Sequence, residues 1–87
     1  MTITQTSQFK KDIKRLVKRR KDLGKLKEMV GWLVNGGSLP PKHRDHALTG
    51  DWTGWRDCHI APDWLLIYKL LPEELVLGRT GSHSDLF

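Results

Sequence analysis

The chain has 87 residues, 38% of them hydrophobic, and 15 Lys and Arg against 10 Asp and Glu give a net charge of +5. This is enough for one domain, residues 1–87, with a thin core, because a chain of this size buries about 60% of the surface it exposes when unfolded. No apolar run approaches the roughly 18 residues of a membrane span, and the single cysteine, Cys58, rules out an internal disulfide.

The opening "MTITQTSQFKK" has neither an apolar core nor a small-residue cleavage site, so a signal peptide is not expected. A cytoplasmic protein with no membrane partner is the expectation. Charge is unevenly spread: residues 1–45 carry 12 Lys and Arg with 4 Asp and Glu, and residues 46–87 carry 3 with 6. Such asymmetry suggests a polyanionic partner for the first half. The alternative is a solvated helix face, but "KKDIKRLVKRRKDLGKLK" holds few acids to pair its cations.

"TITQT" alternates and is β-branched, which predicts a short first strand. Thr6 or Ser7 can cap the helix that follows. Phe9, Ile13, Leu16 and Val17 recur at helical spacing and predict its buried stripe. Leu23 and Gly24 suggest a break, and Asp22 is a plausible cap for a second helix. Leu26, Met29, Val30, Leu33 and Val34 give that helix an apolar face, with Trp32 at its edge. "NGG" at 35–37 stops it. Residues 35–54 show neither period, and a loop of about 20 residues is more often functional or disordered than not. Then come three strand signals, "WRDCHI", "WLLIYKL" and "LVLGRT", the last two joined by an "LPEE" turn. In the first, Trp55, Asp57 and His59 should face one way and Arg56, Cys58 and Ile60 the other. Leu86 and Phe87 suggest that the tail docks. The order β-α-α-β-β-β predicts an α+β fold: a sheet of about four strands with two N-terminal helices on one face.

The four histidines, at 43, 46, 59 and 83, carry the chemistry. Imidazole takes up and releases protons near neutrality, so a pair beside a phosphodiester can act as general base and general acid. RNA supplies the nucleophile, its 2′-OH, and such a reaction needs no metal. Asp63 could orient an imidazole, and Arg56 and Arg79 could stabilise phosphate charge. Plainer roles compete with each of these. His43 reads as a solvated surface residue in a basic loop, and Asp63 as a turn residue after Pro62. Trp52, Trp55 and Trp64 read as packing, and the two arginines as partners of Asp57 or Asp45. His43 and His46 stand three apart and Cys58 adjoins His59, but no CxxC or HxxxH motif exists, so no metal and no cofactor are expected. Cys58 is a weak candidate nucleophile, since it and His59 point apart on a strand.

Three ordered motifs, "DHALTG" at 45–50, "WRDCHIAPDWLLIYKL" at 55–70 and "RTGSHSDLF" at 79–87, resemble the YafQ family of bacterial toxins within the RelE/ParE superfamily. The resemblance covers nearly the whole chain. It implies an antiparallel or mixed sheet with two N-terminal helices. It implies a ribosome-dependent mRNA endonuclease that cuts codons in the decoding (A) site of the 70S ribosome, inhibiting translation. It implies a DinJ-like cognate antitoxin, forming an inhibited complex that often represses their shared operon. The family's catalytic histidines and aspartate match His46, His59, Asp63 and His83. Its terminal aromatic matches Phe87 and its Trp after the aspartate matches Trp64, both candidates for stacking on a base with Arg56 and Arg79 nearby. The basic helices, with Lys14, Arg15, Lys18, Arg19, Arg20 and Lys21, would contact ribosomal RNA. Ala47 departs from the proline that often follows the family's first histidine, which loosens the loop carrying His46. A gyrase-poisoning toxin of the ParE type and a non-catalytic RNA-binding module are the alternatives.

Overall fold

The computed structural model describes residues 1–36 and 39–87. Its elements are β1 (Thr2–Gln5), α1 (Ser7–Lys18), α2 (Leu23–Val34), β2 (His46–Ala47), β3 (Arg56–Ala61), β4 (Trp64–Leu71), β5 (Glu74–Gly81) and α3 (His83–Leu86), with 3-10 turns at Pro41–His43 and Gly50–Trp52. The five strands form one mixed sheet in the order β1-β5-β4-β3-β2. This is one strand more than the sequence predicts: the two-residue β2 pairs antiparallel with β3 through His46–Asp57 and Ala47–Arg56. So short a strand carries no readable alternation.

Side-chain caps define both long helices. Thr6 accepts a hydrogen bond from the Phe9 amide, and Asp22 accepts one from Gly24, each satisfying a donor the helix leaves open. The break falls at Arg19–Lys21, before the expected Leu23–Gly24. Arg20 adopts the left-handed conformation, φ 57°, with its amide on the Val17 carbonyl and that of Lys21 on Leu16. This is the Schellman stop, built on arginine where glycine is usual. α2 ends at Asn35; Gly36 follows at φ 72°, and Gly37, the last residue of the expected stop signal, lies outside the described residues.

Both helices pack on one face of the sheet. Phe9, Leu16, Leu26, Met29 and Leu33 meet Cys58, Trp64, Leu66, Tyr68, Leu75 and Leu77 there. The predicted α1 stripe needs one correction: Val17 is 55% exposed and Asp12 is fully buried in its stead. The sheet explains why. β1 pairs with β5 only as far as Gln5–Leu77, so the Thr80 amide beyond has no strand partner. Asp12 Oδ2 accepts that amide at 3.1 Å, and the carboxylate also takes Arg79 Nε at 2.7 Å and Nη2 at 3.1 Å. A carboxylate so bonded tolerates burial. On the opposite face Leu65, Ile67 and Leu86 form a second cluster with Leu48, Trp52 and Trp55. The docked tail expected from its apolar end is real, but Leu86 alone is buried; Phe87 is 62% exposed.

Candidate active site

Strand alternation places Asp57 and His59 on the second face, opposite Ile67 and Leu65. The β3–β4 ladder shifts register between His59 and Ala61, a bulge of the kind that re-aims a side chain at the end of a strand. A two-residue turn, Pro62–Asp63, then leads into β4. Asp63 does not pair with His59 across that turn. Its Oδ1 accepts the His83 amide at 3.0 Å and faces His83 Nδ1 at 2.6 Å. These bonds hold the Asp63 carboxyl below the ordinary carboxylate range, so it is ionised at neutral pH and can only accept; His83 Nδ1 carries the proton. The His59 and His83 rings lie 5.5 Å apart, edge to face.

His46 reaches the same region through β2. Its Nδ1 donates to the Arg44 carbonyl at 2.7 Å and lies 3.0 Å from Asp57 Oδ1. One proton cannot serve both acceptors, and Asp57 Oδ1 is left without a hydrogen bond. The Asp57 contact is therefore one of charge, strongest when His46 is protonated. Burial pushes the Asp57 carboxyl above its ordinary range, while His46, His59 and His83 all pull it down. A buried carboxylate that feels all three imidazoles is the one member of the cluster that sequence reasoning missed. "RDCH" offers a signal, since alternation puts Asp57 and His59 on one face, but an aspartate beside arginine is more readily taken for its ion-pair partner.

His43, expected at the surface, is buried at 8% exposure. Its Nδ1 donates to the His59 carbonyl at 2.7 Å, and its ring meets Trp32 edge to face. Cys58 is buried and its thiol pushed up to about 12, chiefly by desolvation, so it stays protonated and is no nucleophile.

Comparison with known proteins decides the family. The profile of the family described as "Bacterial toxin of type II toxin-antitoxin system, YafQ" matches residues 1–87. The chain belongs to the YafQ toxin family. The mRNA interferase toxin YafQ of Escherichia coli K12 is 46% identical over 86 residues, spanning 98% of this chain and 94% of that protein. The toxin in the E. coli DinJ-YafQ complex superposes with a TM-score of 0.90 at 46% identity, covering 98% of this chain and 96% of that one. A metal-bound toxin from Helicobacter pylori gives 0.91 at 44% identity, over 100% and 99% of the two chains. Among the described residues here, no group of three or more His, Cys, Asp or Glu is arranged to hold a metal ion.

Within this YafQ-family chain the remaining expected site residues divide. Phe87 stays exposed, directly after α3. Trp64 does not: it is 3% exposed, and its indole N–H donates to Thr80 Oγ1 at 2.9 Å. A ring packed between helix and sheet has no face open to a base, which corrects its expected stacking role. Arg79 is committed to Asp12. Arg56 binds Asp45 at 3.2 Å, and Asp45 also accepts the Tyr68 hydroxyl at 2.7 Å. Of the basic helix residues, Arg19 makes a bidentate pair with Asp85, at 2.6 and 3.0 Å, and Arg15 lies 3.3 Å from Asp12 and 3.8 Å from Asp85. Lys14, Lys18, Arg20 and Lys21 are exposed.

Proposed function

We propose that this chain is a ribosome-dependent mRNA endonuclease, the toxin of a type II toxin–antitoxin pair, whose histidines cut RNA by general acid–base catalysis. The observation that carries this reading is the His83–Asp63 bond, made beside the His59 ring. With Nδ1–H held by Asp63, His83 has Nε2 left for proton transfer. His46, held at Nδ1 by the Arg44 carbonyl, is in the same condition. A neutral imidazole with a free Nε2 is a base, and its conjugate acid is an acid, so two of them can handle both protons.

One imidazole takes the proton of the RNA 2′-OH as that oxygen bonds to phosphorus. The P–O5′ bond breaks, and a second imidazolium protonates the departing 5′-oxygen. The products are a 2′,3′-cyclic phosphate, or the 3′-phosphate after hydrolysis, and a 5′-OH. His59 completes the set at the rim of the sheet, and the exposed Phe87 ring is available to stack on a base. The partners are mRNA in the 70S decoding site, ribosomal RNA, and an antitoxin of the DinJ kind, supported by the relative found in complex with DinJ. That complex is expected to bind operator DNA. The protein is expected to act in the cytoplasm, where its substrate is.

The test is end-labelled mRNA, free and in programmed ribosomes, with and without EDTA. The wild-type protein should cleave only on the ribosome and be indifferent to EDTA, and His83→Ala should lose about 10²–10⁴ in rate. Full cleavage by both His59→Ala and His83→Ala would sink the assignment. Growth arrest without RNA cleavage would favour a gyrase target.

A further inference from the structure

We infer that a basic groove beside His59 is a second phosphate subsite, which holds the phosphate adjacent to the scissile one on the same RNA strand. The inference rests on the nuclease reading above. The groove has a volume of about 450 Å³ and lies between the start of α2, the Pro41–His43 turn and the end of β3. Lys25, Lys42 and Arg44 line it, with Ile60, Ala61 and Pro62 as an apolar wall. His59 also lines it, so the groove adjoins one residue of the candidate reaction centre. None of its described lining residues is a carboxylate.

The state of the cations is what selects this groove. Arg79 and Arg56, which the sequence motifs favour as phosphate ligands, are bound to Asp12 and Asp45. Arg15 and Arg19 are bound to Asp12 and Asp85. A phosphate approaching any of these must compete with a carboxylate already in place. Lys25, Lys42 and Arg44 are exposed and have no ion pair among the described residues. A phosphate meets their donors without that competition.

Two further features point to the same place. Arg44 is held left-handed, at φ 48° and ψ 42°, a conformation disfavoured for a non-glycine residue and one that clusters at functional sites. Its carbonyl holds His46 Nδ1 while its side chain lines the groove, so one strained residue serves both the imidazole and the cation cluster. His43, also in the wall, is buried with Nε2 unpartnered. With Nδ1–H spent on the His59 carbonyl, Nε2 is an acceptor while the ring is neutral and a donor toward an anion when it is protonated.

The experiment uses programmed ribosomes under single-turnover conditions, with mRNAs carrying one neutral methylphosphonate at each phosphate flanking the cleaved bond. The proteins are wild type, Lys25→Ala, and Lys42→Ala with Arg44→Asn, since asparagine tolerates the left-handed backbone. The double variant should need roughly tenfold or more toxin for half-maximal rate, with the pH profile of the chemical step unchanged. One methylphosphonate position should impose a like loss on wild type and little further loss on the variant. Losses that add at every position overturn the subsite. A variant defect with no sensitive methylphosphonate position also overturns it, and assigns the groove to ribosomal RNA. If His59→Ala and His83→Ala both cleave like wild type, the nuclease reading falls first, and the subsite with it.

Discussion

Asp57 shows what a single residue can cost and supply. Its folded-state carboxyl lies above its ordinary value because of burial. The group therefore favours folding below the unfolded-state value, and that contribution is lost as pH rises through the folded-state one. At neutral pH the ionised carboxylate opposes folding. Asp57→Asn should raise Tm by a few degrees at pH 7, and the gain should vanish as pH falls toward about 4. The same change should slow mRNA cleavage about 10- to 100-fold, because a protonated imidazole loses its counter-charge. Thermal melts across pH, with single-turnover rates, check both; a lower Tm with undiminished cleavage would contradict the account. Single residues are the least legible level of the sequence. His46, His59, Asp63 and His83 stand out by type and order, but burial does not: His43 departs from expectation, and Trp64 takes the packing role over the stacking one, because each is fixed by a partner remote in sequence, the His59 carbonyl and Thr80.

At the scale of elements, α3 is four residues long, too short to be stable by its own hydrogen bonds. It is held in place by Leu86 in the second cluster, by the Ser82–Asp85 capping box, and by the Arg19–Asp85 pair at the end of α1. Asp85 is drawn well below the usual carboxylate range, first by Arg19, so the pair persists at neutral pH and weakens only in acid. Arg19 is thus a strut for the element that carries His83. Arg19→Ala and Asp85→Ala should each slow cleavage, by roughly fivefold or more, and the double variant should be no slower than the worse single one, the sign of a shared interaction. Additive losses would return Arg19 to a role outside the fold. The long elements are readable because their periods run for several turns or pleats: α1, α2, β4 and β5 lie close to where stripe, cap and alternation put them. β2, the two 3-10 turns and α3 are too short for any period and exist through tertiary packing and local caps.

For the whole molecule, charge and chemistry are arranged about one rim of the sheet. The unpaired lysines and arginine at the end of α1 approach from one side, with Lys21 contributing to the depressed Asp63 carboxyl. The groove of Lys25, Lys42 and Arg44 reaches the same turn at Ala61 and Pro62. Removing Lys18 and Arg20 should weaken ribosome binding and reduce its log–log salt slope by about 0.7–0.9 for each phosphate no longer neutralised. Binding titrations at several ionic strengths measure this, and an unchanged slope would reject a role for these two side chains on ribosomal RNA. The net charge of the first half is what favours a polyanionic partner on composition alone. Which cations are free to meet it is hidden, because pairing depends on carboxylates as distant as Asp12 from Arg79.

The parallel pairing of β1 with β5 has a consequence for biosynthesis. The first strand made, Thr2–Gln5, finds its partner only in Glu74–Gly81, and loop closure over most of the chain must precede that pairing. His83 and its helix lie beyond β5, so their docking onto Asp63 follows the same schedule. On the nuclease reading, the reaction centre is therefore incomplete until β5 and α3 have joined the sheet, so cleavage waits on the closure of this long-range pairing.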